Sequence, residues 1–122
     1  MSRTFELGDV IAETRRTFKP SHGESQDVTI RIGRPIPDMS APHETWVCPF
    51  QIEGIGDGRT RGIFGADAMQ ALILAIHTIP AELGWFIRHS DGQFLQFDEP
   101  DSSFVDACRM VIENTSELFP PR

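Results

Sequence analysis

The sequence predicts an α+β fold, in which two helices pack on one face of an antiparallel β-sheet of about four to six hairpin-connected strands. Alternation of apolar and polar residues, typical of strands, recurs between residues 9 and 64. Asp-Gly pairs, which favour tight turns, stand at positions 57–58 and 91–92. Apolar residues at helical spacing follow residue 65 and again follow residue 103. Because the strands mostly precede the helices, the pattern favours α+β over alternating α/β.

Two strands are predicted first, over residues 9–18 and 27–34. In the second, Val28, Ile30 and Ile32 alternate with polar neighbours, as the side chains of one buried strand face do. The following segment, "RPIPDMSAPH", carries three prolines in ten residues. Proline fixes φ and has no N–H for a β-ladder, so residues 34–43 are predicted to form an extended loop rather than a strand.

Strand-like alternation returns over residues 44–53. The residues predicted to share one face are Trp46, Cys48, Phe50 and Ile52. Val47, Gln51 and Glu53 are predicted to lie on the other face. Pro49 lies within this strand, which predicts an edge position or a bulge at that point.

The glycine-rich segment "GIGDG" at residues 54–58 is predicted to be a hairpin turn rather than a phosphate-binding loop. A dinucleotide fingerprint would require a third glycine at position 59, which holds Arg59, and a helix directly afterwards. The strand-like segment "RTRGIF" follows instead. Asp57 and Gly58 both tolerate positive φ, as a tight hairpin turn requires.

The first helix is predicted to begin after Gly65. Asp67 is a favourable N-cap, and Gln70 three residues later completes a capping-box pattern. The predicted apolar stripe consists of Met69, Leu72, Ile73, Ile76 and Ile79. Pro80 is predicted to break or kink the helix, which leaves an apolar segment too short to span a bilayer.

A second hairpin and a last helix are predicted in the remaining chain. The hairpin "WFIRHSDGQFLQF" would turn at Asp91 and Gly92, and the acidic connector "DEPDSS" would follow it. A helix is then predicted from near Ser103, ending before the proline pair at positions 120–121.

Composition places the chain among acidic globular domains and excludes several classes of partner. A length of 122 residues predicts one domain over residues 1–122, and the net charge is −7. Residues 62–122 hold nine carboxylates but only three arginines. Such a surface repels phosphates and anionic lipids, so neither nucleic acid nor membrane is an expected partner. Because the sequence shows no signal-peptide pattern and no disulfide framework, we expect a cytoplasmic location.

Residues 46–75 resemble a family of small uncharacterised bacterial proteins. The pattern is W-x-C-P-F-x-I-x-G followed by G-x-D-x-x-Q-A-L-x-L-A, carried here by "WVCPFQIEG" and "GADAMQALILA". The matching positions are Trp46, Cys48, Pro49, Phe50, Ile52, Gly54, Gly65, Asp67, Gln70, Ala71, Leu72, Leu74 and Ala75. The resemblance extends over about residues 11–83 and implies strand–turn–strand–helix. It implies no activity and no catalytic residue.

Cys48 is the obvious candidate nucleophile, with His77 or His43 as the candidate base. Its register with apolar neighbours favours a buried core thiol instead, since free cysteine is among the most buried residue types. Cys108 has the same interpretation. The four histidines show no metal-ligand spacing, so neither a metal nor a cofactor is predicted.

Four arginines form a candidate anion site. Arg59 and Arg61 are predicted to share a strand face, where they would join Arg31 or Arg34 to bind a small anion. The alternative is a solvated strand face, with cross-strand ion pairs to Glu53.

We expect a non-catalytic protein-binding module, similar in size and charge to immunity proteins that neutralise a basic partner. The predicted contact surface holds Asp91, Asp98, Glu99, Asp101 and Asp106, five carboxylates with no lysine or arginine among residues 91–106. If that surface is not the interface, the proline-rich loop at residues 34–43 is the next candidate. The alternative function is a small enzyme or an anion- or ligand-binding domain that uses Cys48, a histidine and the four arginines. A homodimer through Leu74 and residues 84–86 is a further hypothesis.

Overall fold

The computed structural model of the chain describes residues 3–96 and 99–100, and it confirms the α+β class. The elements in chain order are β1 (Val10–Lys19), β2 (Gln26–Gly33), β3 (Ile36–Pro37), β4 (Trp46–Glu53), β5 (Thr60–Gly65), α1 (Ala68–Ser90), β6 (Gln93–Gln96) and β7 (Glu99–Pro100). The strands form an antiparallel sheet in the order β3-β4-β2-β1-β6-β7, and β5 pairs with β4 beside this path.

The chain divides into two compact units. The first contains Met1–Arg16 and Gln26–Ala75, and the second contains Thr17–Ser25 and Ile76–Arg122. Strand β1 and helix α1 each contribute to both units. In the second unit, the end of β1 pairs with β6, and Phe18 packs on Phe94 with ring centroids 5.0 Å apart.

Strand β4 lies at the centre of the first unit. Its register pairs Phe50 with Ile32 of β2 and Val47 with Ile36 of β3, so residues 33–35 lie opposite only Cys48 and Pro49. Strand β5 pairs along the other edge of β4. Pro49 therefore lies at a bulge, and the alternative of an edge position is wrong. The predicted loop is also interrupted by the two-residue strand β3.

The face predicted to be buried on β4 is confirmed. Cys48, Phe50 and Ile52 are buried, together with Val28 and Ile30 of β2.

Val47, predicted to lie on the other, polar face of β4, is buried as well. The reason is Phe5, because a Cβ placed on Gly62 would meet both the Phe5 ring and the Val47 side chain within 2.7 Å. The N-terminal segment thus covers part of the β4 face opposite that of Cys48 and Phe50.

The glycine-rich segment joins β4 to β5, which confirms the hairpin. Its connection is six residues long, over positions 54–59, and φ is positive at Gly54, Gly56 and Gly58 but not at Asp57. The Asp57 carboxylate instead accepts a hydrogen bond from the Arg59 backbone N–H at 3.0 Å, an Asx-type turn contact.

Helix α1 begins as the capping signals predict. The Gln70 N–H donates to Asp67 Oδ1 at 2.8 Å, while Gln70 Oε1 accepts the Ala66 N–H at 2.6 Å. The first bond satisfies an N–H that the helix itself leaves unpaired, and the second ties the segment before the helix to its first turn.

The helix does not end at Pro80, so the predicted break and the first arm of the second hairpin are both wrong. Ile79 and Leu83 are buried on either side of Pro80, and burial of apolar residues offsets the lost backbone hydrogen bond. The helix ends at Ser90, where Asp91 has φ of 46° and the Gly92 N–H donates to the Ile87 carbonyl at 3.1 Å. The Asp-Gly pair is therefore a helix C-cap of the Schellman type.

The buried stripe of α1 is rotated from the predicted one. It consists of Ala71, Ala75, Ile79 and Leu83, whereas Met69 is 66% exposed. Gly65 lets the end of β5 approach the backbone of α1, since an added Cβ there would lie 2.4 Å from the Ala71 nitrogen. At 23 residues, the helix has the length and composition of a membrane span, so the prediction of a short apolar segment is also wrong. Core helices of soluble proteins have the same properties.

Two predictions concern the end of the chain, the connector at residues 98–103 and the helix that follows it. Glu99 and Pro100, predicted as part of a connector, form β7 and pair with β6. The second predicted helix, from Ser103 onward, lies outside the described residues. Among the residues that the structure does describe, α1 is the one helix.

Candidate functional site

An ion pair between Arg3 and Asp38 fixes the N-terminal segment to the proline-rich loop. The two guanidinium nitrogens donate to the two carboxylate oxygens at 2.8 and 3.1 Å. The Asp38 side chain is 5% exposed, so this bidentate contact is shielded on the aspartate side. The hydrogen bonds from Arg3 and from Ser40 hold the pKa of Asp38 well below its ordinary value, although burial opposes them.

Asp38 also organises the loop itself. Its Oδ1 accepts the Ser40 hydroxyl at 2.7 Å and the Ser40 N–H at 3.2 Å. Its own N–H donates to the Thr45 carbonyl at 2.8 Å, and its carbonyl accepts the Ala41 N–H at 3.3 Å. One buried side chain and its backbone therefore hold the middle of the proline-rich loop in a defined conformation.

Aromatic contacts place the N-terminal segment on β5. The Phe5 ring meets the Phe64 ring edge-on, with centroids 5.9 Å apart. The Arg3 guanidinium carbon lies 4.9 Å from the Phe5 centroid and 5.4 Å from that of Phe64. Gly62 makes room for this packing, because an added Cβ would lie 2.5 Å from the Phe5 ring. The segment is thus held by cation–π and ring contacts as well as by charge.

Exposed apolar side chains surround this arrangement. Ile36, Met39 and Phe64 are exposed, and Met39 reaches 89% of its full exposure. We call these three residues the loop face. Next to it lies a cavity of about 310 Å³, lined by residues 3–6 and 36–40 together with Val47 and Pro49.

A second cavity, of about 220 Å³, lies along β5. Its lining consists of Arg3, Phe5, Asp57 and the four consecutive residues 59–62. We call it the edge groove.

The structure separates the four arginines that were predicted to form one anion site. Arg59 and Arg61 line the edge groove, and the Arg61 guanidinium also lies 5.6 Å from the Phe50 ring centroid. Arg31 pairs with Gln51 in the sheet register and Arg61 with Phe50, so neighbouring positions on β4 direct them to opposite faces.

Arg31 and Arg34 are engaged in ion pairs. Arg31 contacts the carboxylate of Glu53, that of Glu13 at 3.3 Å, and the Gln51 side-chain oxygen at 3.1 Å. These contacts raise the pKa of Arg31, with the hydrogen bond to Glu53 as the largest cause. Arg34 lies 3.8 Å from the Asp9 carboxylate. For Arg31 the structure matches the alternative of a cross-strand ion pair with Glu53.

The five predicted partner-binding carboxylates are described only in part. Asp91 is exposed at the end of α1, and Glu99 belongs to β7. Asp98, Asp101 and Asp106 lie outside the described residues.

Cys48 is fully buried, and its Sγ lies 3.6 Å from the Gly33 carbonyl, to which the thiol donates. Burial raises the pKa of the Cys48 thiol to about 11. The thiol is therefore protonated at neutral pH and unsuited to nucleophilic attack. Across residues 3–96, no group of three His, Cys, Asp or Glu side chains is arranged to hold a metal ion. His77 belongs to the second unit, and its buried Nε2 has no hydrogen-bond partner in the part of the chain that is described.

The sequence predicts the loop at residues 34–43 as a second candidate interface, but it does not point to Asp38 and Met39 individually, nor to Arg3 or Phe5. The sequence Asp38-Met39-Ser40 contains a signal for the loop, because aspartate often bonds to the backbone two residues on. No local signal pairs Arg3 with Asp38, since 35 positions separate them.

Comparison with known proteins identifies a family. The family model described as a domain of unknown function (DUF6968) matches residues 14–105, which confirms the resemblance to an uncharacterised family. Comparisons with curated proteins and with solved structures found no match.

Proposed function

The chain belongs to the DUF6968 family of domains of unknown function, and we propose that it acts as a non-catalytic protein-binding module. The observation that carries this proposal is the exposure of Met39, at 89%, on a loop fixed by the hydrogen bonds of Asp38. Exposed apolar side chains that cluster beside a groove are typical of protein contact sites. Methionine suits such a surface because its side chain is flexible and polarizable.

The rigidity of the loop favours binding. An interface that is ordered before association loses less conformational entropy when the partner arrives. Asp38 supplies this order through Ser40, Thr45 and the N-terminal Arg3. Ile36 and Phe64 flank Val47 on neighbouring strands, so the exposed apolar surface continues from the loop onto the sheet.

The sizes of the two cavities favour a protein over a small molecule. Small-molecule sites usually enclose about 300–1,000 Å³. The cavity beside the loop face, of about 310 Å³, lies at the lower limit, and the edge groove, of about 220 Å³, lies below it. Individual side chains of a partner protein would fit both.

A second candidate function is the binding of an anion at the edge groove. Arg59 and Arg61 line this groove together with Arg3, which favours a negatively charged ligand. Arg31 and Arg34 are not part of this candidate site, because neither lines the edge groove.

The proposal is tested by affinity capture from the native host with matched variants. The double variant Ile36→Ser, Met39→Ser removes the apolar side chains of the loop face. Met69→Ser is the control, since Met69 is also exposed but lies on α1. We expect the wild-type chain and the control to capture the same protein, and the double variant to recover about a tenth or less. Equal recovery by a double variant with an unchanged melting temperature would contradict the proposal.

A further inference from the structure

We infer that the edge groove accepts an extended, acidic segment of a protein partner, which pairs with the free edge of β5 as an added strand. This inference rests on the proposed function, since its ligand is part of a protein. It adds a second site to that function and states the chemistry of the segment that the site binds.

The lining of the groove shows that it follows the strand edge. It includes Arg59, Thr60, Arg61 and Gly62, which are consecutive in the chain. Successive side chains of a strand point to opposite faces of the sheet. A cavity over one face would be lined by alternate residues, so a cavity lined by three successive residues of β5, and by Arg59 just before them, runs along the strand edge.

The groove lies where β5 has no neighbouring strand. Six residue pairs join β5 to β4, from Trp46 with Gly65 to Gln51 with Thr60. Within residues 3–96 and 99–100, no strand pairs with the opposite edge of β5. An unpaired edge presents backbone N–H and C=O groups that an extended peptide can bind.

The charge of the groove selects an acidic occupant. Its ionisable residues are three arginines and one aspartate, Asp57. Arg3 is already bound to Asp38, and Arg61 lies over Phe50. The Arg59 guanidinium has no hydrogen bond or ion pair to any described residue, and its side chain is exposed.

The spacing of the arginines matches a strand. Arg59 and Arg61 stand two positions apart, which in extended chain is about 6.6–6.8 Å. Carboxylates at alternate positions of a paired peptide have the same spacing. A cross-strand ion pair with the exposed Arg59 would then accompany the backbone hydrogen bonds.

Charge also argues against a second copy of this chain as the occupant. Pairing two β5 edges would bring the arginines of one copy close to those of the other, and like charges facing each other destabilise a strand pair. Both units carry a net negative charge, since the first has seven basic and nine acidic residues and the second has four and nine. The groove, with three arginines and one aspartate, is a local exception.

The test uses a seven-residue peptide of alternating glutamate and valine, acetylated and amidated at its ends, titrated into the isotope-labelled chain. We expect amide chemical-shift changes centred on residues 59–62, and an affinity that falls as salt rises. A peptide with lysine in place of glutamate should not bind. Arg59→Gln should weaken binding about three- to fivefold. Arg15→Gln, which removes another exposed arginine that lies outside the groove, should leave binding unchanged.

Backbone pairing is tested with N-methylated peptides, in which either all valine or all glutamate amides are blocked. Pairing with β5 uses alternate amides of the peptide, so one of the two sets must abolish binding. Retention of binding by both methylated peptides would overturn the inference, as would equal binding of the lysine peptide. Inorganic phosphate is titrated separately. A contrary outcome is that phosphate reproduces the chemical-shift changes and displaces the peptide when its concentration of negative charge equals that of the peptide's glutamates. In that case the groove is a small-anion site and the inference fails.

Sedimentation of the chain without any peptide tests whether the groove binds a second copy of the chain. A dimer that Arg59→Gln dissociates would show that the groove binds a second copy, which also overturns the inference. Failure here is separable from failure of the proposed function. Arg59→Gln leaves the loop face intact, so a partner captured by both this variant and the wild type, but lost with Met39→Ser, would support the binding module without the added strand.

Discussion

At the scale of single residues, Cys48 shows how far sequence reasoning reaches. Its alternation with Trp46, Phe50 and Ile52 is local, and this pattern together with the usual burial of free cysteine predicted the buried thiol. The pair of Arg3 and Asp38 could not be found in this way, since it joins residues 35 positions apart. Local patterns report which face a residue occupies, whereas long-range partners depend on how the elements assemble.

The buried thiol of Cys48 gives a prediction about reactivity and stability. Because burial raises its pKa to about 11, a thiol reagent at pH 8 should label Cys48 only as fast as the chain unfolds. Cys48→Ala should cost about 1–2 kcal/mol of unfolding free energy through lost packing. Urea titration measures that cost. Rapid and complete labelling of Cys48 in the folded chain would contradict a core thiol.

The ion pair of Asp38 gives a prediction about acid stability. The pKa of Asp38 is lowered in the folded state, first by the hydrogen bond from Arg3 and then by that from Ser40. The unfolded chain therefore binds the proton more readily, and the stabilising effect is present above the ordinary value of 3.8 and lost as pH falls below it. Between pH 6 and 2, the melting temperature of Asp38→Asn should fall less than that of the wild type.

The control for this experiment is Asp27→Asn, which removes an exposed carboxylate at the start of β2. Its acid profile should follow that of the wild type. Parallel profiles for the wild type and Asp38→Asn would mean that the contact with Arg3 contributes nothing to stability in solution.

At the scale of elements, the start of helix α1 was predicted better than its end. The start of α1 depends on Asp67 and Gln70, which act within one helical turn. Its end depends on an Asp-Gly pair that suits either a hairpin or a helix C-cap, and only tertiary packing decides between them. The same packing carries the helix through Pro80, although local propensity predicts a break there.

The hairpin of β4 and β5 gives a prediction free of packing effects. Gly58 has φ of +68°, and a Cβ added there would meet no atom within 4 Å. Any loss of stability on substitution is therefore conformational. Gly58→Val should cost about 1–2 kcal/mol, while Gly58→Asn should cost less because asparagine tolerates this conformation. Equal urea midpoints for the two variants would contradict the assigned turn.

At the scale of the whole molecule, charge is divided unevenly between the units. The second unit holds nine acidic and four basic residues, and the prediction that a basic partner is drawn to it remains a prediction. Serine in place of Asp98, Glu99 and Asp101 should slow association with the native partner by about two- to tenfold at low salt. Stopped-flow kinetics measure the rate.

The control for this triple variant is the double variant Glu24→Ser, Asp27→Ser, which removes two exposed carboxylates from elsewhere in the chain. This variant should slow association less than the triple variant. If the triple variant leaves the association rate unchanged, Asp98, Glu99 and Asp101 lie outside the interface. The loop face would then be the contact surface.

The central claim is that the loop face contacts a protein, and photo-crosslinking in the native host tests it most directly. Position 39 or, as the control, position 69 is replaced by p-benzoylphenylalanine, since both methionines are exposed but only Met39 belongs to the loop face. We expect one protein to be crosslinked from position 39 and none from position 69. No product from position 39, or the same product at equal yield from both positions, would contradict the claim.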